Sequence, residues 1–405
     1  MKGYASRVGA GVFARRLVGA ASLVAAIVVA AGAGAATAAT PALYVSPKGH
    51  DSGSCAKASP CATIGHAVAQ AASGSTVFVE AGTYREMVTI NKDLRLIGVG
   101  KPVVDVTGQA NGILITGSAA AGSGVAGFVV KNATDEGILA EQTSWLGISN
   151  NVVQHNDLGV SAATPTGECA PAGAVPGDCG EGVHLMSVTQ SVVSGNAVSG
   201  NSGGILLTDE LGPTAGNLIT RNQVTDNVLD CGITIAGHNA QAFVNGQRQG
   251  GVAGVYDNIV SHNVVSGNGV KGQGAGIGLF AGAPGSGVYE NVVTDNTATG
   301  NGLAGVTLHS HAPRQDLNNN VIIGNTLSNN ALHGYESGAP GDSDSGLTQT
   351  ADIELWSAVS PIIGTVITGN TISTAYYGVW IHNASGSSPT GNAFPGGVTL
   401  QTFQG

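Results

Sequence analysis

From about Asn151 to Asn370 the apolar residues fall at alternate positions in short bursts, each closed by an Asn and a small turn. Val-Ser-Gly-Asn196-Ala-Val-Ser-Gly-Asn201 precedes Gly204-Ile205-Leu206-Leu207, and Ile-Thr-Arg-Asn222-Gln-Val-Thr-Asp-Asn227 precedes Gly232-Ile233-Thr234-Ile235. The phrase returns around Asn263 and Asn268, Asn296 and Asn301, Asn325 and Asn330, and Asn370. A fixed phrase at a spacing of roughly 26 to 45 residues marks a solenoid. Strands of about 3 to 6 residues are too short to fold alone, so coils must stack at ~4.8 Å and share one core, with alternate apolar side chains pointing inward. Asn suits the turns because it tolerates left-handed backbone angles and its amide can bond to the same amide on neighbouring coils. Ahead of the repeats, Ile64, Ala67, Val68 and Ala71 fall at helical spacing behind Thr63, which predicts a short capped helix that plugs the open end of the core.

With these residues the chain resembles the right-handed parallel β-helix, pectin-lyase-like superfamily. Within it, the chain is similar to the repeat proteins that include periplasmic copper-maturation proteins and many secreted sugar-active enzymes. The likeness runs from about Leu43 to Asn392. Val77-Phe78-Val79, Ala81-Gly82-Thr83-Tyr84 and Leu94-Arg95-Leu96-Ile97-Gly98 resemble the first coil of secreted members. The expected fold is all-β, a single-stranded right-handed parallel β-helix solenoid with a short N-terminal capping helix.

Residues 1–39 read as a signal peptide: a basic stretch ending in Arg15-Arg16, an apolar run from Leu17 to Ala31, and a cleavage site at Ala36-Thr37-Ala38. Residues 40–405 form one domain, with cap and first coil at 43–100 and insertions at 163–180 and 334–351. An exported chain invites disulfides, Cys55 with Cys61 and Cys169 with Cys179, which leaves Cys231 as a small buried residue. Charged residues are only 10% of the chain, and loss of Lys2, Arg7, Arg15 and Arg16 takes the formal charge from −10 to about −14. Nucleic acid and anionic membranes are poor partners for such a surface. The expected partner is an extracellular polysaccharide met by a monomer, with no membrane contact after signal cleavage.

Chemistry is expected on the outward wall of the Gly-Ile/Val-x-Leu/Ile-x strands, where insertions cluster. Read two by two, the outward positions include His184, then Leu206 and Thr208, Thr234 and Ala236, Phe280, Thr307 and His309, Asp352, Glu354 and Trp356, and Trp380 and His382. Asp352 and Glu354 sit about 6.7 Å apart at Cα, a separation compatible with either stereochemical course of glycoside cleavage. Crowding would push one carboxyl pKa upward, as a general acid needs. His309 and His382 fall one coil to either side of Trp356, and Trp356 and Trp380 offer flat faces for sugar rings. His311 and Arg314 adjoin them. Phe280, Glu210 and His238 extend the same face.

His309 and His311 at alternate positions could also chelate one divalent ion, zinc or copper, with Glu354 or Asp316 as third ligand. The calcium-binding Asp cluster of pectate lyases is not recognisable, and calcium otherwise stays open as a cofactor. Asp230-Cys231 and Gly237-His238-Asn239 echo two motifs of polygalacturonase-like hydrolases. Leu229 stands where that family pairs a second Asp, so the catalytic pair does not carry over; with His184, Asp209 and Glu210 this group reads as a distal subsite.

The favoured expectation is a secreted glycoside hydrolase with Glu354 and Asp352 as acid and base or nucleophile, and His309 and His382 orienting or polarising. The alternatives are a uronide lyase or epimerase, and a non-catalytic copper-binding or glycan-binding β-helix.

Overall fold

The computed structural model describes residues 42–157, 181–270, 274–310, 312–331 and 351–404. The expected signal peptide, the Cys169–Cys179 pair, the insertion 163–180, His311, and residues 334–350 of the second insertion lie outside the described residues.

The strands wind into a right-handed parallel β-helix, with successive coils in parallel register. One column of twelve strands runs from Leu43–Val45 to Ser388–Thr390. The other two columns merge into a 20-stranded sheet, because the last two coils, Thr371–His382 and Ala393–Gln404, run unbroken through the corner between them. Ile205 pairs with Ile233, Ile233 with Ile277, Ile277 with Val306, and Val306 with Ile353. Like residues therefore stack on like, and one apolar core runs from Leu43 to Ile381.

The first opening is closed as expected. Helix Ile64–Gln70 buries Ile64, Ala67 and Val68, and Thr63 Oγ1 accepts the His66 N–H. Glu86 accepts the N–H groups of Ile64 and Gly65 at 2.7 and 2.8 Å, placing a carboxylate on the positive end of the helix. A Cys55–Cys61 disulfide ties the segment that leads into it. Cys231 is buried, and its Sγ accepts the Ala275 N–H.

The asparagines form ladders. Asn151, Asn196, Asn222, Asn263, Asn296, Asn325, Asn370 and Asn392 make one, each Nδ2 donating to the next Oδ1 at 2.9–3.1 Å. A second runs Asn156, Asn201, Asn227, Asn268, Asn301 and Asn330. One expectation is corrected here: the ladder Asn itself is not left-handed. The residue before it is, as at Gly195, Arg221, His262 and Asp295 with φ between 53° and 65°. The bend must precede the Asn, because each Oδ1 accepts both Nδ2 and the backbone N–H of the Asn before it in the ladder, which holds the Asn in the coil wall.

Candidate functional site

The phase of the strand Ala351–Ser357 is as its alternation predicts. Ile353 and Leu355 join the main core, while Trp356 packs in a separate cluster with Ala351, Tyr377 and Trp380. The expected solvent exposure is not found: Asp352 is 0% exposed, Glu354 2%, Trp356 4%, Trp380 5% and His309 5%. Alternation decides from which wall a side chain leaves; exposure depends on what lies across that wall. His382 and Phe280 are half-buried.

The expected neighbours do meet. Register places Thr307 opposite Glu354 and Glu354 opposite Trp380, with Phe280, His309, Trp356 and His382 stacked on four successive coils. Ring centroids in that stack lie 5.6, 5.9 and 6.4 Å apart, and Trp380 stacks on His382 at 5.7 Å. His309 Nε2 lies 3.2 Å from Glu354 Oε2, which also receives the Thr307 hydroxyl at 3.4 Å. Asp352 Oδ1 accepts Asn330 Nδ2 at 2.8 Å. Among the described residues, Asp352 Oδ2 and Glu354 Oε1 have no hydrogen-bond partner. Burial pushes the Asp352 carboxyl up to about 7, against the lowering effect of the Asn330 hydrogen bonds.

The two residues of the adjoining loop differ. Asp316 is not available as a metal ligand, because its carboxylate is held by Arg248 Nε at 2.6 Å and by the Asn318 N–H. Arg314 is exposed in the adjoining loop.

The more N-terminal group is richer than its sequence suggests. His184 Nδ1 lies 3.1 Å from Glu136 Oε1, and His184 Nε2 lies 2.8 Å from Thr208 Oγ1. Thr208 in turn bonds to Glu210, which pairs with His238 Nδ1. Five side chains thus link four successive coils, ending at the half-buried Glu210 and His238. Burial alone would raise the Glu210 carboxyl, but hydrogen bonding and charge from His238, with the charge of His184, bring it down to about 2. Burial disfavours a charged His184, and the Glu136 carboxylate more than offsets this, so His184 titrates above its ordinary value.

Asp209 has a different task. Fully buried, it accepts the N–H groups of His238, Asn239 and Gly254 at 2.7, 3.0 and 2.7 Å, pinning both ends of the insertion that holds the hairpin Phe243–Val244 and Gln247–Arg248. Burial outweighs those three donors and raises its carboxyl to about 6. Sequence reading missed Glu136 and Glu181. The signal was there: each stands immediately before the Gly that opens its coil's strand, in Glu136-Gly137-Ile138 and Glu181-Gly182-Val183.

Residues 68–246 match the model of the NosD family, described as periplasmic copper-binding protein. Over 80 residues the chain is 36% identical to an uncharacterized protein, YwoF, from Bacillus subtilis (strain 168), a match that spans 20% of this chain and 16% of that one. The fold is similar to that of DFA-IIIase from Arthrobacter chlorophenolicus A6 without its lid, at a TM-score of 0.55 and 12% identity, covering 89% of this chain and 92% of that one. It is also similar to the catalytic domain of a GH87 alpha-1,3-glucanase in complex with tetrasaccharides, at 0.53 and 12%, covering 91% and 67%. The Dettilon tailspike protein matches at 0.51 and 15%, covering 84% and 63%. Among the described residues, no helix is long and apolar enough to cross a membrane.

Proposed function

We propose that this chain, a right-handed parallel β-helix of the pectin-lyase-like superfamily, acts outside the cytoplasm on a polysaccharide and cleaves its glycosidic bonds by hydrolysis. The Cys55–Cys61 disulfide supports an oxidising compartment. The glucanase of similar fold supports the substrate class, though at that identity the likeness is one of fold.

One observation carries the reaction type. On a single strand face, Asp352 and Glu354 each have one oxygen anchored, by Asn330 and by His309 with Thr307, and one oxygen without a partner among the described residues. With its carboxyl at about 7, Asp352 holds a proton near neutrality, and its Oδ2–H is the donor to the departing glycosidic oxygen. Glu354 Oε1 then attacks the anomeric carbon or takes a proton from the attacking water, while His309 fixes Oε2. Trp356 and Trp380 supply apolar faces for the sugar, and His382 stacks between them. Glu210 and His238, four and three coils from Glu354 and so roughly 14 to 19 Å away at ~4.8 Å per coil, are assigned to a distal part of an extended binding face.

Burial of both acids favours a second reading, a β-helix that binds a glycan without cleaving it. Purified protein offered a panel of neutral and uronide polysaccharides separates the two. New reducing ends support hydrolysis; an unsaturated product absorbing in the ultraviolet supports a lyase; binding without product leaves the scaffold reading.

A further inference from the structure

Glu136 and Glu181 stand at the same register on adjacent coils, one position before the Gly at the strand corner. Glu136 Oε2 accepts the Glu181 N–H at 2.9 Å, which points the Glu136 carboxylate up toward the next coil. His184, three residues on, turns Nδ1 toward Glu136. The three residues are 2%, 0% and 2% exposed, and one ligand atom from each lies within 4.8 Å of the other two.

We propose that Glu136, Glu181 and His184 bind one divalent transition-metal ion through two carboxylate oxygens and Nδ1. The orientation of His184 is an independent reason. Its Nε2 is occupied by Thr208 at 2.8 Å, the outer hydrogen bond that in metal sites fixes the tautomer and aims the other nitrogen at the ion. Room is the next reason. The following coil carries Gly203 at this register, and a Cβ there would lie 2.9 Å from Glu181 Oε1 and 3.1 Å from its Cγ, so any larger residue would crowd the carboxylate. A set of two oxygens and one imidazole nitrogen is borderline in hardness and suits zinc, manganese or iron(II) rather than copper(I) or calcium. Ligand bonds of ~2.1 Å place donor atoms roughly 3 to 4 Å apart, so the ion draws the three groups together by about an ångström. Nδ1 ligates through its lone pair, so the contact between His184 and Glu136 in the metal-free protein is given up on binding.

The site lies five coils from Glu354 and stands whether or not glycosidic cleavage does. The probe is zinc, added to the metal-stripped full chain and followed by titration calorimetry in buffers of different protonation enthalpy. One zinc per chain is expected, and Glu181→Gln and His184→Gln should each weaken binding at least ~10-fold, whereas His309→Asn should leave it unchanged. Zinc absorption spectroscopy provides a measurement free of folding effects, and oxygen with a single imidazole in the inner sphere is expected. No stoichiometric zinc, affinity retained in the Glu181 and His184 variants, or an inner sphere of sulfur or several imidazoles overturns the assignment.

Discussion

Asp352 ends the second asparagine ladder: its Oδ1 receives Nδ2 of Asn330 at 2.8 Å, taking the place that an Asn oxygen holds on every earlier rung. An Asp side chain has no amide to hand on to the next coil, so it closes the ladder. The same bond leaves Oδ2 as the one oxygen of Asp352 not committed to the scaffold.

Stability and activity should therefore part company at this residue. The folded carboxyl titrates near 7 against an ordinary 3.8, so the folded state binds the proton more tightly. That stabilisation is complete below the unfolded pKa and is lost as pH rises through about 7. Asp352→Asn, which cannot ionise, is expected to melt several degrees above the native chain at pH 8, with the gap closing toward pH 4. If Asp352 is the acid, the same variant loses hydrolysis; scanning calorimetry and reducing-end assays read the two effects separately.

Glu354→Gln keeps the shape of the side chain and removes its charge. A loss of at least ~100-fold in kcat on whichever polysaccharide the screen finds is expected, with little change in KM. Full activity in this variant would move the reaction centre elsewhere on the wall.

Asn263 lies in the middle of the first ladder. Its oxygen accepts from the backbone and side chain of Asn222, and its amide reaches Asn296 Oδ1 and the Ile219 carbonyl. Asn263→Ala strands buried donors and acceptors on both neighbouring coils, and a loss of ~2–4 kcal/mol is expected in urea unfolding. Asn263→Asp should be less damaging at acid pH than at pH 8, because a protonated carboxyl regains a donor toward Asn296.

Asp209→Ala frees three backbone N–H groups at the two ends of one insertion. The expected result is faster proteolytic nicking between Gln241 and Gly251, with the core coils intact. Asp209→Asn retains an acceptor and should protect most of that segment; equal cleavage in both variants would show that the three donors do not hold it.

The sequence by itself determined the winding. Short alternating bursts can bury their apolar side only by stacking, and stacking identical turns aligns identical amides, so the coils, the ladders, the Thr63-capped helix and the inward phase of Ile353 and Leu355 were all legible. Those are local and periodic properties, repeated often enough for one chain to display them. Two things were decided by the tertiary structure alone. One is accessibility: Asp352, Glu354 and Trp356 leave the wall away from the core as read, yet they are buried, and alternation along a strand carries no information on what lies across its outer face. The other is convergence: Glu136, His184, Thr208, Glu210 and His238 are spread over a hundred residues of sequence and meet only because each coil returns the chain to the same wall about 4.8 Å further on.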